Sequence, residues 1–202
     1  MVVPGLPHHV TQRGNRREPI FFKAEDHEVY LRILAKQARQ HGVEIWAYCL
    51  MPNHVHLIMV PGDERGLSRA VGEAHRLYAL HINRRSSWAG HLFQARFSSV
   101  VMDERHLLVA ARYVSLNPVR ARLVERAQDW LWSSVRAHLS GCDDGVVRVA
   151  PLLSRIGRFA DILEMPADDR SFRILRAAES TGRPVGDAAF LATIQSTIGP
   201  RC

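Results

Sequence analysis

The sequence predicts an α+β fold whose core follows the ferredoxin-like order β-α-β-β-α-β, with an antiparallel sheet. Apolar residues recur with helical spacing in two stretches, 24–42 and 66–85. Four short stretches favour β-strands, and they alternate with the two helices as this order requires. The predicted strands are 7–15, 43–51, 54–60 and 95–102.

The ends of these elements have ordinary chemical signals. Glu25 and Asp26 stand at the start of the first helix and Gly42 at its end, as the helix dipole and glycine's freedom at a C-terminus favour. Only Pro52 and Asn53 separate the second and third strands, which predicts an antiparallel hairpin with a tight turn.

A further helix is predicted after the fourth strand. Asp103 can cap its N-terminus, so we expect the helix to cover 104–117. Pro118 disfavours helical geometry at the preceding residue, and we therefore expect the helix to end or kink there. A short link and one or two helical turns should follow, up to residue 141.

The chain is expected to divide into a domain of residues 1–141 and a C-terminal extension of residues 142–202. Stretches within the extension have helical amphipathic spacing and are separated by Pro, Gly and Asp. The sequence leaves three roles open for the extension: a lid, a clamp on a bound partner, or a packing element.

Composition favours a globular protein of a reducing cytoplasm. The 202 residues are 47% hydrophobic and 23% charged, with no apolar run of about 18 residues and no secretory pattern at the N-terminus. Cys49, Cys142 and Cys202 are scattered, which argues against disulfides and against a cysteine zinc site. We expect no membrane contact.

The charge balance favours a polyanionic partner. The net charge is +7, and only two of the 27 basic residues, Lys23 and Lys36, are lysines. The planar guanidinium of arginine suits phosphate and base edges, although a GC-rich genome would produce the same excess of arginine.

Two histidines stand one residue apart in the predicted third strand, in "LMPNHVHLIMV". Side chains at i and i+2 share a face of a strand, so His54 and His56 lie side by side, while Val55, Leu57 and Met59 can fill the core. Such a pair can bind one cation. Two structural histidines would give the same pattern.

A tyrosine on the last predicted helix strengthens the metal interpretation. Tyr113 and Asn117 are spaced i and i+4 and share a helical face, and Arg112, Arg120 and Arg122 stand close by in the sequence. A phenol near histidine-bound metal and arginines is equipped for phosphodiester transesterification. A core tyrosine and a helix-capping asparagine remain open as alternatives.

Several motifs, in order, carry a resemblance to a known family. The chain has "VPGLPHHVTQRGNRREPIFF", "MPNHVHLIMV", "GHLFQARFSSVVMD", "ARYVSLNPVRARLV" and "DWLWSSVRAHLSG", between about Val3 and Ser140. These resemble the single-tyrosine HUH transposases of bacterial insertion sequences (the IS200-like group), and most closely their REP-associated tyrosine transposase branch. The segment "STGRPVGDAAFL" is loosely similar to the ends of some members.

The resemblance implies a function and the residues that perform it. His54 and His56 match the HUH histidines that bind Mg²⁺ or Mn²⁺, and Asn117 stands where relatives place a further polar metal ligand. Tyr113 matches the nucleophile that attacks single-stranded DNA, leaving a 5′-phosphotyrosine and a free 3′-OH. The implied partner is single-stranded DNA with a palindromic hairpin, bound by a monomer or homodimer at the nucleoid.

Candidate DNA contacts lie in three places, each of which also fits an ordinary solvated surface. The loop after the first strand is basic, as expected for a groove that follows a DNA backbone. The stretch before the fourth strand combines polar side chains with Phe93, a core residue or a stacking surface. The full set is Arg13, Asn15, Arg16, Arg17, Arg76, His91, Gln94, Arg96, Arg112 and Arg120.

Two other functions stay open from the sequence. A histidine-triad nucleotide hydrolase needs a third histidine at the next alternate position of the strand, where this chain has Ile58. A hairpin-binding protein without catalysis would share the fold and the basic surface, although it would not need Tyr113 with the two histidines.

Overall fold

The computed structural model describes residues 1–165 and 169–198. Four strands form one sheet; they are β1 (His8–Arg13), β2 (Val43–Met51), β3 (His54–Pro61) and β4 (Ser98–Val101). Within the described ranges the α-helices are α1 (Ala24–Gln40), α2 (Gly66–Ser86), α3 (Glu104–Arg120), α4 (Val135–Ser140), α5 (Ala150–Ile156), α6 (Phe159–Glu164), α7 (Asp169–Thr181) and α8 (Ala188–Ile198). Short 3₁₀ turns cover Asn15–Arg17 and Ala127–Asp129.

The sheet has the strand order β2-β3-β1-β4, and every neighbouring pair is antiparallel. With α1 and α2 placed between the strands, this confirms the predicted ferredoxin-like core. The predicted hairpin is also confirmed, because Met51 pairs with His54 across the turn. Carbonyls of that turn accept hydrogen bonds from the backbone of Gly14 and Ile20, which ties the turn to the loop after β1.

Alternation along β3 divides the protein into two hydrophobic layers. Val55, Leu57 and Met59 are fully buried in the core that α1 and α2 cover. The alternate residues point to the opposite face, where Ile58 packs in a second core under α3. The histidine pair shares that second face.

The C-terminal extension helps to cover the second face of the sheet. Leu152 of α5, Ile162 of α6, and Phe172 and Leu175 of α7 are buried in the same cluster as Leu107 of α3. Packing is therefore one role of the extension, and it places α7 beside the catalytic-helix candidate α3. The prediction of helices in this region falls partly on residues 166–168 and 199–202, which lie outside the described residues.

Several predicted boundaries differ from the structure by one to three residues, among them those of α3 and β4. The helix α3 continues through Pro118 to Arg120 instead of ending at Asn117. Pro118 has no N–H to donate, but backbone hydrogen bonds from the residues that follow it close the last turn. The backbone of Ala121 still donates to the Asn117 carbonyl. The strand β4 is shorter than predicted, since residues 95–97 form a loop over the sheet edge.

None of the helices in the described ranges is long and apolar enough to cross a membrane. Cys49 is buried and Cys142 is exposed, and both are free thiols. Cys202 lies outside the described residues.

The first core contains a histidine whose burial makes the fold sensitive to acid. The His75 ring is hydrogen-bonded to the Tyr30 hydroxyl (2.9 Å), and burial lowers the pKa of His75 to about 3. The unfolded chain takes up this proton below about pH 6.5, whereas the folded chain does not, so stability falls as the pH drops. We expect His75→Phe to reduce the loss of unfolding free energy between pH 7.5 and pH 5 by about 2 kcal/mol, measured by urea denaturation. An unchanged pH dependence in this variant would contradict the assignment.

Candidate active site

Two histidines from β3 face a tyrosine from α3. The ring centroids of His54 and His56 are 4.9 Å apart, and those of His56 and Tyr113 are 5.4 Å apart. All three side chains line one cavity of about 670 Å³ between the sheet and the helices above it. Asn117, one turn after Tyr113, lines the same cavity, so the four residues singled out from the sequence lie together.

The histidines are held in their neutral form. Burial lowers the pKa of His54 to about 4 and that of His56 well below its ordinary value, and the positive charges of Arg13 and Arg176 add to both shifts. At neutral pH each ring therefore keeps an unprotonated nitrogen, the form that binds a metal ion.

The tyrosine is held in its phenol form. Burial raises the pKa of Tyr113, and the negative charge of Glu179 raises it further, while Arg176 and Asn117 act in the opposite direction. Arg176 donates from Nε to the Tyr113 hydroxyl at 3.3 Å. This guanidinium is placed to stabilise a negative charge that develops on the phenolic oxygen.

The helix α7 of the extension places side chains at the candidate site that the sequence did not indicate. Phe172 packs edge-on against Tyr113, and Arg176 and Glu179 follow on the same helical face at the cavity wall. The Glu179 side chain is 19% exposed, and burial raises its pKa to about 7, against the effect of Arg176 and Arg13. A single sequence does not separate this face from a solvated one, because its charges alternate with apolar residues as on any amphipathic helix.

A third histidine at the site was also missed. His9 of β1 is fully buried, and its Nε2 lies 3.1 Å from the Nδ1 of His56 with the two rings stacked. The Nδ1 of His54, in turn, is 2.6 Å from the Oδ1 of Asn53. With both Nδ1 atoms engaged, Nε2 is the nitrogen that each β3 histidine has left for a cation.

The donors around the cavity fit a divalent cation. Two imidazole nitrogens and the Asn117 amide oxygen line the cavity together, and this mix of nitrogen and oxygen donors suits a divalent cation. Within the described ranges, His9, His56 and Glu179 also form a cluster whose potential ligand atoms all lie within 4.8 Å of one another. The residues present are therefore compatible with a divalent metal ion.

Several of the predicted DNA contacts border the histidines. Arg13 is paired with His54 across β1 and β3 and lines the main cavity. A second cavity of about 440 Å³ shares both β3 histidines and is lined by Gln94 and Arg96 from the loop before β4. These three side chains form a polar path that leads to the site.

A second group of predicted contacts lies farther along the surface. Asn15, Arg16 and Arg17 are exposed in the 3₁₀ turn after β1, where Arg16 and Arg17 have positive φ angles of 52° and 64°. His91 is exposed in a groove that Arg76 also lines, and the Arg76 guanidinium is paired with Glu73 at 2.7 Å.

Arg112 is the exception among the predicted contacts. Its side chain is buried, and it donates to the backbone carbonyls of Ile162 and Met165. It therefore ties α3 to α6 and to the residue that follows α6, and it is not among the residues that line the cavity. Arg120 lies at the cavity wall, with its guanidinium 4.8 Å above the ring of Phe172.

The fold and the site together match one class of protein. An antiparallel ferredoxin-like sheet that presents an HxH pair to a tyrosine on the following helix is the arrangement that the resemblance to single-tyrosine HUH transposases predicts. The family model described as "Transposase IS200 like" matches residues 2–117 of the chain. The chain belongs to the IS200-like transposase family, and the resemblance inferred from the sequence is confirmed.

Individual relatives point to the same family. A candidate REP-associated tyrosine transposase of Haemophilus influenzae is 26% identical over 111 residues, which cover 49% of this chain. The chain spans 63% of the length of that relative.

One solved structure shares the fold. A REP-associated tyrosine transposase bound to a REP hairpin superposes with a TM-score of 0.59, at 21% identity, over 74% of this chain and 86% of the other. A candidate transposase of Deinococcus radiodurans R1 gives a TM-score of 0.42, at 22% identity, over 55% of this chain and 90% of the other.

Proposed function

We propose that this protein is a metal-dependent single-stranded DNA endonuclease and transposase that binds palindromic, REP-type hairpins. It cleaves and rejoins DNA through a 5′-phosphotyrosine intermediate. The observation that supports this most is the single cavity that holds Tyr113 together with His54 and His56, in a chain of the IS200-like family.

In the proposed reaction, Tyr113 is the nucleophile. Its phenolic oxygen gives up a proton and bonds to the scissile phosphorus, while the bond from phosphorus to the 3′ oxygen breaks and that oxygen takes up a proton. Arg176, at 3.3 Å from the hydroxyl, stabilises the charge that forms on the phenolate. Rejoining reverses these steps, because a free 3′-OH attacks the phosphotyrosine.

His54, His56 and Asn117 would hold Mg²⁺ or Mn²⁺ at this site. When bound, the cation polarises the scissile phosphate and neutralises part of the charge on its oxygens. The neutral imidazoles keep lone pairs for this purpose.

We propose that the DNA strand reaches Tyr113 along the path lined by Arg13, Gln94 and Arg96, with the exposed turn at Asn15, Arg16 and Arg17 and the groove at Arg76 and His91 contacting the hairpin. A hairpin partner is supported by the shared fold of the structure solved with a REP hairpin. The extension, residues 142–202, would complete the active site through α7.

The proposal is tested with a hairpin oligonucleotide that carries a single-stranded foot and a fluorescent label. We expect cleavage with Mn²⁺ and none with EDTA on a denaturing gel, and binding by fluorescence anisotropy in both conditions. Binding without cleavage would contradict the nuclease and support the alternative of a non-catalytic hairpin-binding protein. The histidine-triad alternative is not favoured, because Ile58 is buried in the second core.

Arg96 and Arg76 form a matched pair for testing the DNA path. Arg96 lines the cavity that holds the histidines, whereas the guanidinium of Arg76 is already paired with Glu73. We expect Arg96→Ala to weaken hairpin binding about tenfold in low salt and to lower the salt slope by about one. Arg76→Ala should weaken hairpin binding several-fold less than Arg96→Ala does. Equal effects of the two substitutions would count against the proposed path.

A further inference from the structure

His9 and Glu179 lie beside Nδ1 of His56, and the proposed reaction gives neither residue a function. The nearest atoms, Nδ1 of His9 and Oε1 of Glu179, are 3.7 Å apart, and both are buried without a hydrogen bond. Buried polar atoms without a partner are uncommon in folded proteins, since each costs free energy. Two such atoms that face each other, one on β1 and one on α7, indicate an interaction that a small side-chain movement completes.

One proton is shared between His9 and His56. Their facing nitrogens, Nε2 and Nδ1, are 3.1 Å apart, which leaves room for one proton between them. One ring must therefore donate and the other accept. The direction of this bond decides which nitrogen of His56 remains unprotonated.

The direction of the His9–His56 hydrogen bond decides whether Nε2 of His56 can bind a cation in the cavity. If His56 donates from Nδ1, its Nε2 is free to bind a cation, and His9 carries its own proton on Nδ1, facing Glu179. If His9 donates instead, Nε2 of His56 is protonated and cannot bind a metal, and a bare Nδ1 of His9 faces the carboxylate. The carboxylate accepts hydrogen bonds and does not donate them when ionised, so it favours the first arrangement.

We infer that His9 and Glu179 are positioning residues that hold His56 in the tautomer with Nδ1 protonated and Nε2 presented to the cation, so that α7 of the extension contributes to cation affinity. This inference rests on the proposed function of the site. Oε1 of Glu179 lies 3.7 Å from Nδ1 of His9 and 4.0 Å from Nδ1 of His56. The carboxylate therefore favours a proton on Nδ1 of His56 both through His9 and directly, as in the carboxylate–histidine–metal arrangement of many metal sites.

The tautomer of His54 is fixed in a similar way, by the side-chain amide of Asn53. Its Nδ1 is bonded to Oδ1 of Asn53, and Nδ2 of Asn53 donates to the Arg17 carbonyl at 2.8 Å, which fixes the orientation of the amide. Both β3 histidines thus have an acceptor at Nδ1 and the same nitrogen left for the cavity. The hydrogen bonds at Nδ1 of His54 and of His56 come from unrelated partners, but both leave Nε2 available. This agreement supports the binding of one cation by both Nε2 atoms.

The first measurement is the tautomer itself, in the cation-free 202-residue protein with ¹⁵N-labelled histidine at pH 8. Long-range ¹H–¹⁵N correlation spectra distinguish the two tautomers of each ring. We expect His56 in the Nδ1-protonated form in wild type and a mixture in His9→Phe. A wild-type His56 protonated on Nε2 would overturn the inference whether or not the protein cleaves DNA.

The second measurement is Mn²⁺ affinity, from the EPR signal of the free ion. We expect His9→Phe to weaken binding about 10- to 100-fold and Glu179→Gln about tenfold. His9→Gln keeps an acceptor near Nε2 and should stay within about threefold of wild type. His138→Phe removes another buried histidine, which stacks on Phe159 away from the cavity, and should leave the affinity unchanged.

The outcomes separate the inference from the proposed function. Wild-type Mn²⁺ affinity in His9→Phe, in a protein that still cleaves DNA, would overturn the positioning role alone. An equal loss in His9→Gln and His9→Phe would also overturn it, because His9 would then be a ligand itself. If His9→Phe does not fold, His9→Gln, Glu179→Gln and the wild-type spectrum still decide the question.

Discussion

Replacement of Tyr113 by phenylalanine should abolish DNA cleavage, with a rate loss on the order of 10⁴-fold or more, because the only atom removed is the proposed nucleophile. The fold should be preserved, since the ring packing against Phe172 and His56 needs no hydroxyl. Cleavage is measured in single-turnover reactions with Mn²⁺ and a labelled hairpin substrate. Hairpin affinity should stay close to that of wild type.

Tyr48→Phe is the matched control for this variant. It also removes one phenolic oxygen, which donates to Asp144 at 2.6 Å on the far side of the sheet from the site. Its cleavage rate should match that of wild type. Cleavage by Tyr113→Phe at the wild-type rate would show that another group performs the attack.

Replacement of both β3 histidines should slow DNA cleavage about as much as Tyr113→Phe does. It should have little effect on hairpin binding. The double variant His54→Ala and His56→Ala removes two of the proposed metal ligands but leaves Arg13 and Arg96, which line the DNA path. Phosphate contacts supply most of the affinity for DNA, so the hairpin dissociation constant should change by no more than about threefold.

The dependence of the cleavage rate on Mn²⁺ concentration distinguishes the metal-binding role proposed for the histidines from the nucleophilic role proposed for Tyr113. The single variant His54→Ala keeps one imidazole, and higher Mn²⁺ should recover part of its activity, whereas no concentration should rescue Tyr113→Phe. Full activity of the double variant in EDTA would contradict a metal role for the histidines.

Local patterns were sufficient to predict the core of the fold. The alternation of Val55, Leu57 and Met59 with the two histidines assigns each side of β3 to a layer, and the turn at Pro52 allows only a tight antiparallel hairpin. These signals depend on neighbours in the sequence, which is why they agree with the structure. The exception was Pro118, whose position within the last turn of α3 the sequence alone does not specify.

The candidate site was predicted only in part, because half of it is assembled from distant segments. His54 and His56 share a motif, and Tyr113 and Asn117 share a helix, so spacing brought each pair together. Glu179 reaches His56 across 123 positions of sequence by the packing of α7, and no local pattern records that contact.

Arg112 and His9 also show that distance along the sequence does not predict which side chains reach the site. Arg112 is adjacent to the tyrosine in sequence but turns away to hold the carbonyls of Ile162 and Met165. His9 stands far from the HxH motif in sequence, but the pairing of β1 with β3 places it against His56. Tertiary packing decides both positions.

The most direct test of the proposed function is the covalent intermediate. The protein is incubated with Mn²⁺ and a hairpin oligonucleotide labelled at its 3′ end, and the products are analysed by intact mass and peptide mapping. We predict that the protein gains the mass of the 3′ fragment through a phosphodiester to Tyr113, while the other fragment ends in a free 3′-OH. Cleavage that leaves no covalent adduct, or an adduct on another residue, would contradict the proposed mechanism.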